Sequence, residues 1–265
     1  MALSPLLERY DNVLLDLDGC VWLGDTPTRR AAEAISELRS AGKHVAFVTN
    51  DSRHSPEDYV RKLWSLGIQA ALEEVVTVGG AIQHVLAERG PGHAYVIGSP
   101  PVFRHVADAG HRIVNGRAPS TEADVVVVAG HDDFNYTELR EATQAVLNGA
   151  ELLAAGRDRT FPAEDGIRPG GGAVLAALEY ATERTATVVG KPEPQLFLTA
   201  LDRLDGGRTL MVGDRLDSDL GGAVAAGLDG AIVLTGVTTR AAATAATDPA
   251  PVAVADDLYA LVVGR

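Results

Sequence analysis

Asn12 to Leu17 read NVLLDL, a short apolar run with an acidic end. That is the pattern of a strand buried on both faces that delivers carboxylates to its C-terminal edge. Gly19 stops it. From Pro27 to Ala41 the apolar positions Ala31, Ala34, Ile35 and Leu38 recur at helical spacing, and Gly42 follows as a stop, so a helix is predicted there. HVAFVTN, at 44–50, is a second buried strand. Ser55, Pro56 and Asp58 supply an N-cap, a first-turn proline and a capping-box acid for a helix that runs towards Leu66 and ends at Gly67. Val75 to Val78 is a third strand. Alternation at this spacing implies βαβ units and a parallel sheet covered on both faces.

The middle of the chain repeats the alternation, with strands at Ala94 to Ile97 and Asp124 to Val128 and helices near Pro101 to Ala109 and Tyr136 to Asn148. After the turn Gly170-Gly171-Gly172 an alanine-rich helix runs to Thr182. Then come strand TVVGK, helix Pro194 to Leu204, strand TLMVGD, helix Asp219 to Ala226 and strand AIVLTG. Thr238 to Pro251 is poor in large apolar residues and is expected to be surface structure. With 46% hydrophobic and 22% charged residues over 265 positions, this is an ordinary globular composition. The net charge of −13 repels polyanions, so no nucleic-acid partner is expected. No leader-like or membrane-spanning apolar run occurs, and a cytoplasmic protein is expected. Cys20, the single cysteine, cannot form an intrachain disulfide and reads as a small packed group.

Four signals lie at the C-terminal ends of predicted strands, where an open α/β sheet gathers its binding residues. They are Asp16-Leu17-Asp18-Gly19, Thr49-Asn50, Gly190-Lys191-Pro192, and Gly213-Asp214 followed by Asp217 and Asp219. Singly, each reads as readily as a turn, a cap or a solvated face. Jointly they offer carboxylates for a hard cation, hydroxyl and amide donors for phosphoryl oxygens, and an ammonium for the remaining negative charge. That is a set suited to phosphoryl transfer. The seven histidines show no His-x-x-x-His spacing and there is no Cys-x-x-Cys, which disfavours zinc. Gly190-Lys191 is not a P-loop, because Pro192 stands where that motif needs Ser or Thr. Trp22 and Trp64 read as packing residues.

In this order the motifs resemble the haloacid dehalogenase superfamily of phosphatases. DLDGCVWLGD, HVAFVTN, VVGKPEP and MVGDRLDSD are most similar to the subgroup with 4-nitrophenyl, phosphoglycolate, glycerol-3-phosphate and pyridoxal phosphatases. The fold class expected is therefore α/β, a Rossmann-like parallel sheet core with an inserted α/β cap domain. Spacing says where the insertion lies. The 31 positions between Asp18 and Thr49 hold one crossover, whereas the 142 between Thr49 and Lys191 leave room for roughly a hundred inserted residues. Residues 1–80 and 185–265 would form the catalytic core, and 81–184 a C2-type cap that selects substrate.

The resemblance implies that Asp16 is a nucleophile forming an aspartyl-phosphate and that Asp18 is the acid and base. Mg²⁺ would be held by Asp16, the main-chain carbonyl of Asp18, and Asp214, with Asp219 supporting the ion. Thr49, Asn50 and Lys191 would hold the phosphoryl group. An acid at position 18 favours phosphate esters over halides. Asp51 stands where asparagine is commoner in the subgroup, and His131 where an aromatic or aliphatic residue is. The arginines of the Arg157 to Arg159 loop read as surface residues. The expected partner is a small phosphorylated metabolite, glycerol 3-phosphate or 2-phosphoglycolate, ahead of pyridoxal phosphate or an aryl phosphate. A phosphotransferase is the alternative within enzymes, and a non-catalytic nucleotide-binding module the alternative outside them. Subgroup caps often mediate dimers, so the resemblance makes a homodimer through the cap an expectation.

Overall fold

The computed structural model describes residues 3–163 and 166–264. It divides into two compact units. The first takes the residues up to Thr49, Pro56–Val76 and those from Lys191 onward; the second takes Asn50–Ser55 and Thr77–Gly190.

The first unit is built on a six-stranded sheet. Its order is Ala253–Ala255, Asp229–Val233, Thr209–Gly213, Asn12–Asp16, His44–Thr49, Val75–Thr77. Asn12–Asp16 pairs in parallel with Thr209–Gly213 on one side and with His44–Thr49 on the other. Strand order therefore reverses at Asn12–Asp16, and the crevice beyond the carboxyl ends at such a switch point is where open α/β sheets bind ligands. All five residues of this strand are buried, as expected of a strand covered on both faces. The helix Ala31–Ser40 buries Ala31, Ala34, Ile35 and Leu38. It starts later than the predicted Pro27, because Trp22–Leu23 and Thr26–Pro27 form a two-residue antiparallel hairpin first. Proline has no N–H to donate and is tolerated in so short an edge ladder. The core includes Leu15, Leu17, Trp22, Phe47, Leu63 and Val212.

The second unit has its own five-stranded sheet, ordered Thr187–Val188, Glu151–Ala154, Val125–Gly130, His93–Gly98, Arg112–Ile113, with every pairing parallel. Thr187–Val188, expected in the core sheet, thus belongs to this one. The helix Tyr136–Leu147 begins at a capping box in which Asn135 Oδ1 accepts from the Thr137 and Glu138 amides and the Glu138 carboxylate accepts from the Asn135 amide. A hairpin, Thr160–Ala163 with Gly166–Pro169, and the helix Val78–Arg89 are elements that the sequence pattern did not reveal. Tyr95, Ile97, Val126, Leu152 and Leu178 are among its core residues. Among the described residues no helix is long and apolar enough to cross a membrane.

Candidate active site

The strand Asn12–Asp16 ends in a carboxylate that is 6% exposed. Beyond it the chain turns sharply. The Val21 and Trp22 amides both donate to the Leu17 carbonyl, and the Gly19 amide donates to the Trp22 carbonyl at 2.7 Å. Gly19 has φ +91°, and a Cβ there would come 2.5 Å from Asp214 Cγ. Glycine is needed at this position both for its backbone angle and for the space the neighbouring carboxylate occupies.

Asp214 follows the strand Thr209–Gly213, next to Asn12–Asp16 in the sheet. Its Oδ2 accepts from the Val237 amide at 2.6 Å, and a Cβ on Gly236 would lie 2.0 Å from that oxygen. The Thr235 hydroxyl donates to the Gly19 carbonyl. The loop Thr235–Val237 therefore belongs to the site, and sequence reasoning missed it. The signal was there: Thr235-Gly236 follows an apolar strand just as the four recognised motifs do.

Asp219 comes from a π-helical turn, Leu216–Leu220, that runs into the helix Gly221–Ala225. Its Oδ2 accepts from the Asp214 and Arg215 amides at 3.1 and 3.0 Å, and its Oδ1 accepts from Lys191 Nζ at 2.8 Å. Lys191 Nζ also donates to Asp16 Oδ1. Asp217, two residues earlier, points outward and pairs with Arg215.

Asp16, Lys191, Asp214 and Asp219 are thus brought together, with one oxygen from each of the three carboxylates within 4.8 Å of the others. Thr49 stands at the same sheet edge, one residue beyond Val48, the register partner of Asp16, and is buried. Asn50 follows it and is grouped with the second unit, half-buried. Asp18 does not join the carboxylate cluster. Its side chain lies beside Trp22, whose Nε1 donates to Asp18 Oδ1 at 2.8 Å. Trp22 is fully buried, whereas Trp64, expected to pack, is 61% exposed and donates its Nε1 to the Ala70 carbonyl.

Electrostatics set the character of this cluster. Burial pushes the Asp16 carboxyl well above the ordinary carboxylate range; Lys191 pulls it back and Asp219 and Asp214 push it further up. Burial alone would lower Lys191, but the Asp16 and Asp219 carboxylates outweigh it and hold the ammonium above its usual range. Burial likewise raises Asp214, against the Val237 amide that favours its charged form. Three buried carboxylates face one ammonium, and Asp214 Oδ1 is buried with no hydrogen-bond partner among the described residues. An all-oxygen set with surplus negative charge and a bare oxygen fits a hard divalent cation such as Mg²⁺.

The remaining residues singled out by sequence are locally satisfied. Asp51 accepts from the Arg53 amide and side chain and pairs with His54. Burial opposes its ionisation, yet the His54 and Arg53 hydrogen bonds prevail and hold it well below the ordinary range. His131 Nε2 lies 2.9 Å from Glu138 Oε1, and Arg157 makes two 2.8 Å bonds to Glu179. Cys20 is fully buried, as its reading as a packed group requires.

The chain is similar to known proteins along most of its length. The sequence profile of the haloacid dehalogenase-like hydrolases matches residues 13–112, and a second HAD-hydrolase-like profile matches 188–261. A D-glycerol 3-phosphate phosphatase of Mycobacterium tuberculosis is 38% identical over 237 residues, which is 89% of this chain and 66% of that protein. An acid sugar phosphatase of Staphylococcus aureus is 33% identical over 236 residues, 88% of this chain and 90% of that one. The crystal structure of a glycerol phosphate phosphatase from Mycobacterium tuberculosis in complex with magnesium superposes with a TM-score of 0.89 at 36% identity, covering 98% of this chain and 79% of that one. With these similarities and this site, the chain belongs to the haloacid dehalogenase-like hydrolases.

Proposed function

We propose that the chain is a Mg²⁺-dependent phosphomonoesterase that hydrolyses small phosphorylated metabolites, glycerol 3-phosphate first among them, through an aspartyl-phosphate on Asp16. The observation that carries this reading is the cluster itself: a buried carboxylate at the sheet's switch point, held by Lys191, beside a carboxylate oxygen with no hydrogen-bond partner among the described residues. When bound, the cation supplies the positive charge that lets a carboxylate approach a phosphate dianion. Lys191 fixes the Asp16 carboxylate and offsets part of the charge gathered there. Asp16 attacks phosphorus, the ester bond breaks, and the leaving oxygen takes its proton from Asp18. Water then attacks the aspartyl-phosphate and gives its proton to Asp18, releasing inorganic phosphate and restoring both residues. Thr49 and Asn50, at and just beyond the adjoining strand end, donate to the phosphoryl oxygens. The names of the relatives support glycerol 3-phosphate over 2-phosphoglycolate and pyridoxal phosphate.

Residues 77–190 act in this reading as the C2-type cap that selects substrate, in a cytoplasmic homodimer joined through that unit. The deciding experiment is phosphate release from a panel of small monoesters, with Mg²⁺ and with EDTA, for wild type and Asp16→Asn. Release that needs Mg²⁺ and disappears in Asp16→Asn is expected. Release that survives either change overturns the reading.

A further inference from the structure

Asp18 is an exposed side chain at the mouth of a turn, and a free carboxyl group there would sample several rotamers. A proton donor in that state is a poor one, because catalysis by proton transfer depends on a held geometry. The structure holds it from one side. Trp22 Nε1 donates to Asp18 Oδ1 at 2.8 Å.

The indole is itself fixed. Its ring is fully buried and lies 7° from parallel to the Tyr59 ring, with centroids 6.3 Å apart. Lys62 Nζ stands 4.5 Å from the Trp22 ring centroid, a cation over an aromatic face. The same ammonium donates to the Gly24 carbonyl at 2.8 Å and lies 3.3 Å from Asp25 Oδ1, which ties down the turn of the hairpin that Trp22 begins. The Trp22 amide is bonded back to the Leu17 carbonyl, on the far side of Asp18. Backbone, ring face and hairpin tip are each restrained, so the direction of the N–H bond is set before substrate arrives.

An indole N–H only donates. Asp18 Oδ1 is therefore the accepting oxygen, and because the carbonyl oxygen of a protonated carboxyl group accepts better than its hydroxyl oxygen does, this bond favours the proton on Oδ2. We propose that Trp22 is a positioning residue for the reaction, whose N–H fixes the Asp18 carboxyl group so that one defined oxygen, Oδ2, delivers the proton to the leaving group and later accepts one from water. The inference rests on the reading of Asp18 as acid and base, and the Tyr59 and Lys62 side chains serve it by holding the indole.

The test compares two esters through kcat/KM, which reports the step in which the ester bond breaks. Glycerol 3-phosphate, or the best alkyl phosphate of the panel, has a leaving group that needs a proton; 4-nitrophenolate leaves without one. In Trp22→Phe, kcat/KM for the alkyl ester is expected to fall about tenfold or more, and that for 4-nitrophenyl phosphate by less than about threefold. In a Asp18→Asn background, adding Trp22→Phe is expected to change neither further, because the two residues act as one. Should Trp22→Phe fold poorly, 3-benzothienylalanine at position 22 keeps the fused-ring shape and replaces the N–H by sulfur; the same selective loss is expected. Equal losses on both esters, a further loss in the Asp18→Asn background, or full alkyl-ester activity with benzothienylalanine would each overturn the role of Trp22 alone. Equal losses on both esters in Asp18→Asn itself would overturn the acid role of Asp18 and the proposal with it.

Discussion

Asp214 is buried with one oxygen paired to the Val237 amide and the other without a hydrogen-bond partner among the described residues, in a cluster already short of positive charge. Replacing it by asparagine removes a charge that burial disfavours and provides an amide that can donate towards the neighbouring carboxylates. Without Mg²⁺, Asp214→Asn is therefore expected to melt at or above the wild-type temperature. With Mg²⁺ the order reverses. A ligand that binds only the folded state stabilises it by about 2.7 kcal/mol at a hundredfold excess over its Kd, and the variant, lacking a ligand oxygen of full charge, is expected to lose most of that gain. Thermal melts in EDTA and in millimolar Mg²⁺ check both signs; a variant that is less stable in EDTA and gains as much from Mg²⁺ as wild type would contradict the assignment. Asp16 and Asp214 were legible in the sequence because a carboxylate ending an apolar strand has a fixed place at the sheet edge. The link between Trp22 and Asp18 was not, because it depends on where the tight turn aims the indole, and hydropathy records only that tryptophan packs.

Three aspartates follow the strand Thr209–Gly213 within seven residues, and the π-helical turn Leu216–Leu220 sorts them. Asp219 is 1% exposed and bonded to two amides and Lys191, while the Asp217 side chain is 71% exposed and bonded to Arg215. Such turns carry one residue more per hydrogen-bonded loop than an α-helix and recur at functional sites. Here the turn swings Asp219 back under Gly213, where a Cβ would meet its Cγ at 2.3 Å. Asp217→Asn is expected to leave kcat/KM within about twofold, since an exposed ion pair contributes little, whereas Asp219→Asn is expected to cost 10- to 100-fold in Mg²⁺ affinity, as loss of a group supporting a metal site does. Activity titrated against Mg²⁺ reads both. The remaining elements show where pattern reading stops. Val78–Arg89 carries Gly79 and Gly80 in its first turn, which weakens a helical signal, although Thr77 caps it through the Gly80 amide. Thr187–Val188 looked like any buried run, and periodicity says nothing about which of two sheets a run will join.

At the scale of the whole chain, spacing carried more than pattern did. The 142 positions between Thr49 and Lys191 exceed any single crossover, and the structure has two compact units, each with its own sheet and core. The second unit takes residues 50–55 together with Thr77–Gly190. The three carboxylates that would hold the cation, and Lys191 with them, all belong to the first unit. A single unfolding free energy is then not guaranteed to describe the molecule, since units with separate cores can open separately. Binding stabilises only states in which the site is formed, so the response to Mg²⁺ separates the two cases. Amide hydrogen exchange is expected to slow on adding Mg²⁺ in Asn12–Asp16, Thr209–Gly213 and Leu216–Leu220, and to stay unchanged in the second unit's central strands, His93–Gly98 and Val125–Gly130. Slowing by the same factor in both sets would mean that the two units open as one and that the site's binding energy is shared across the chain. No change in either set would mean that the carboxylate cluster does not take up the ion.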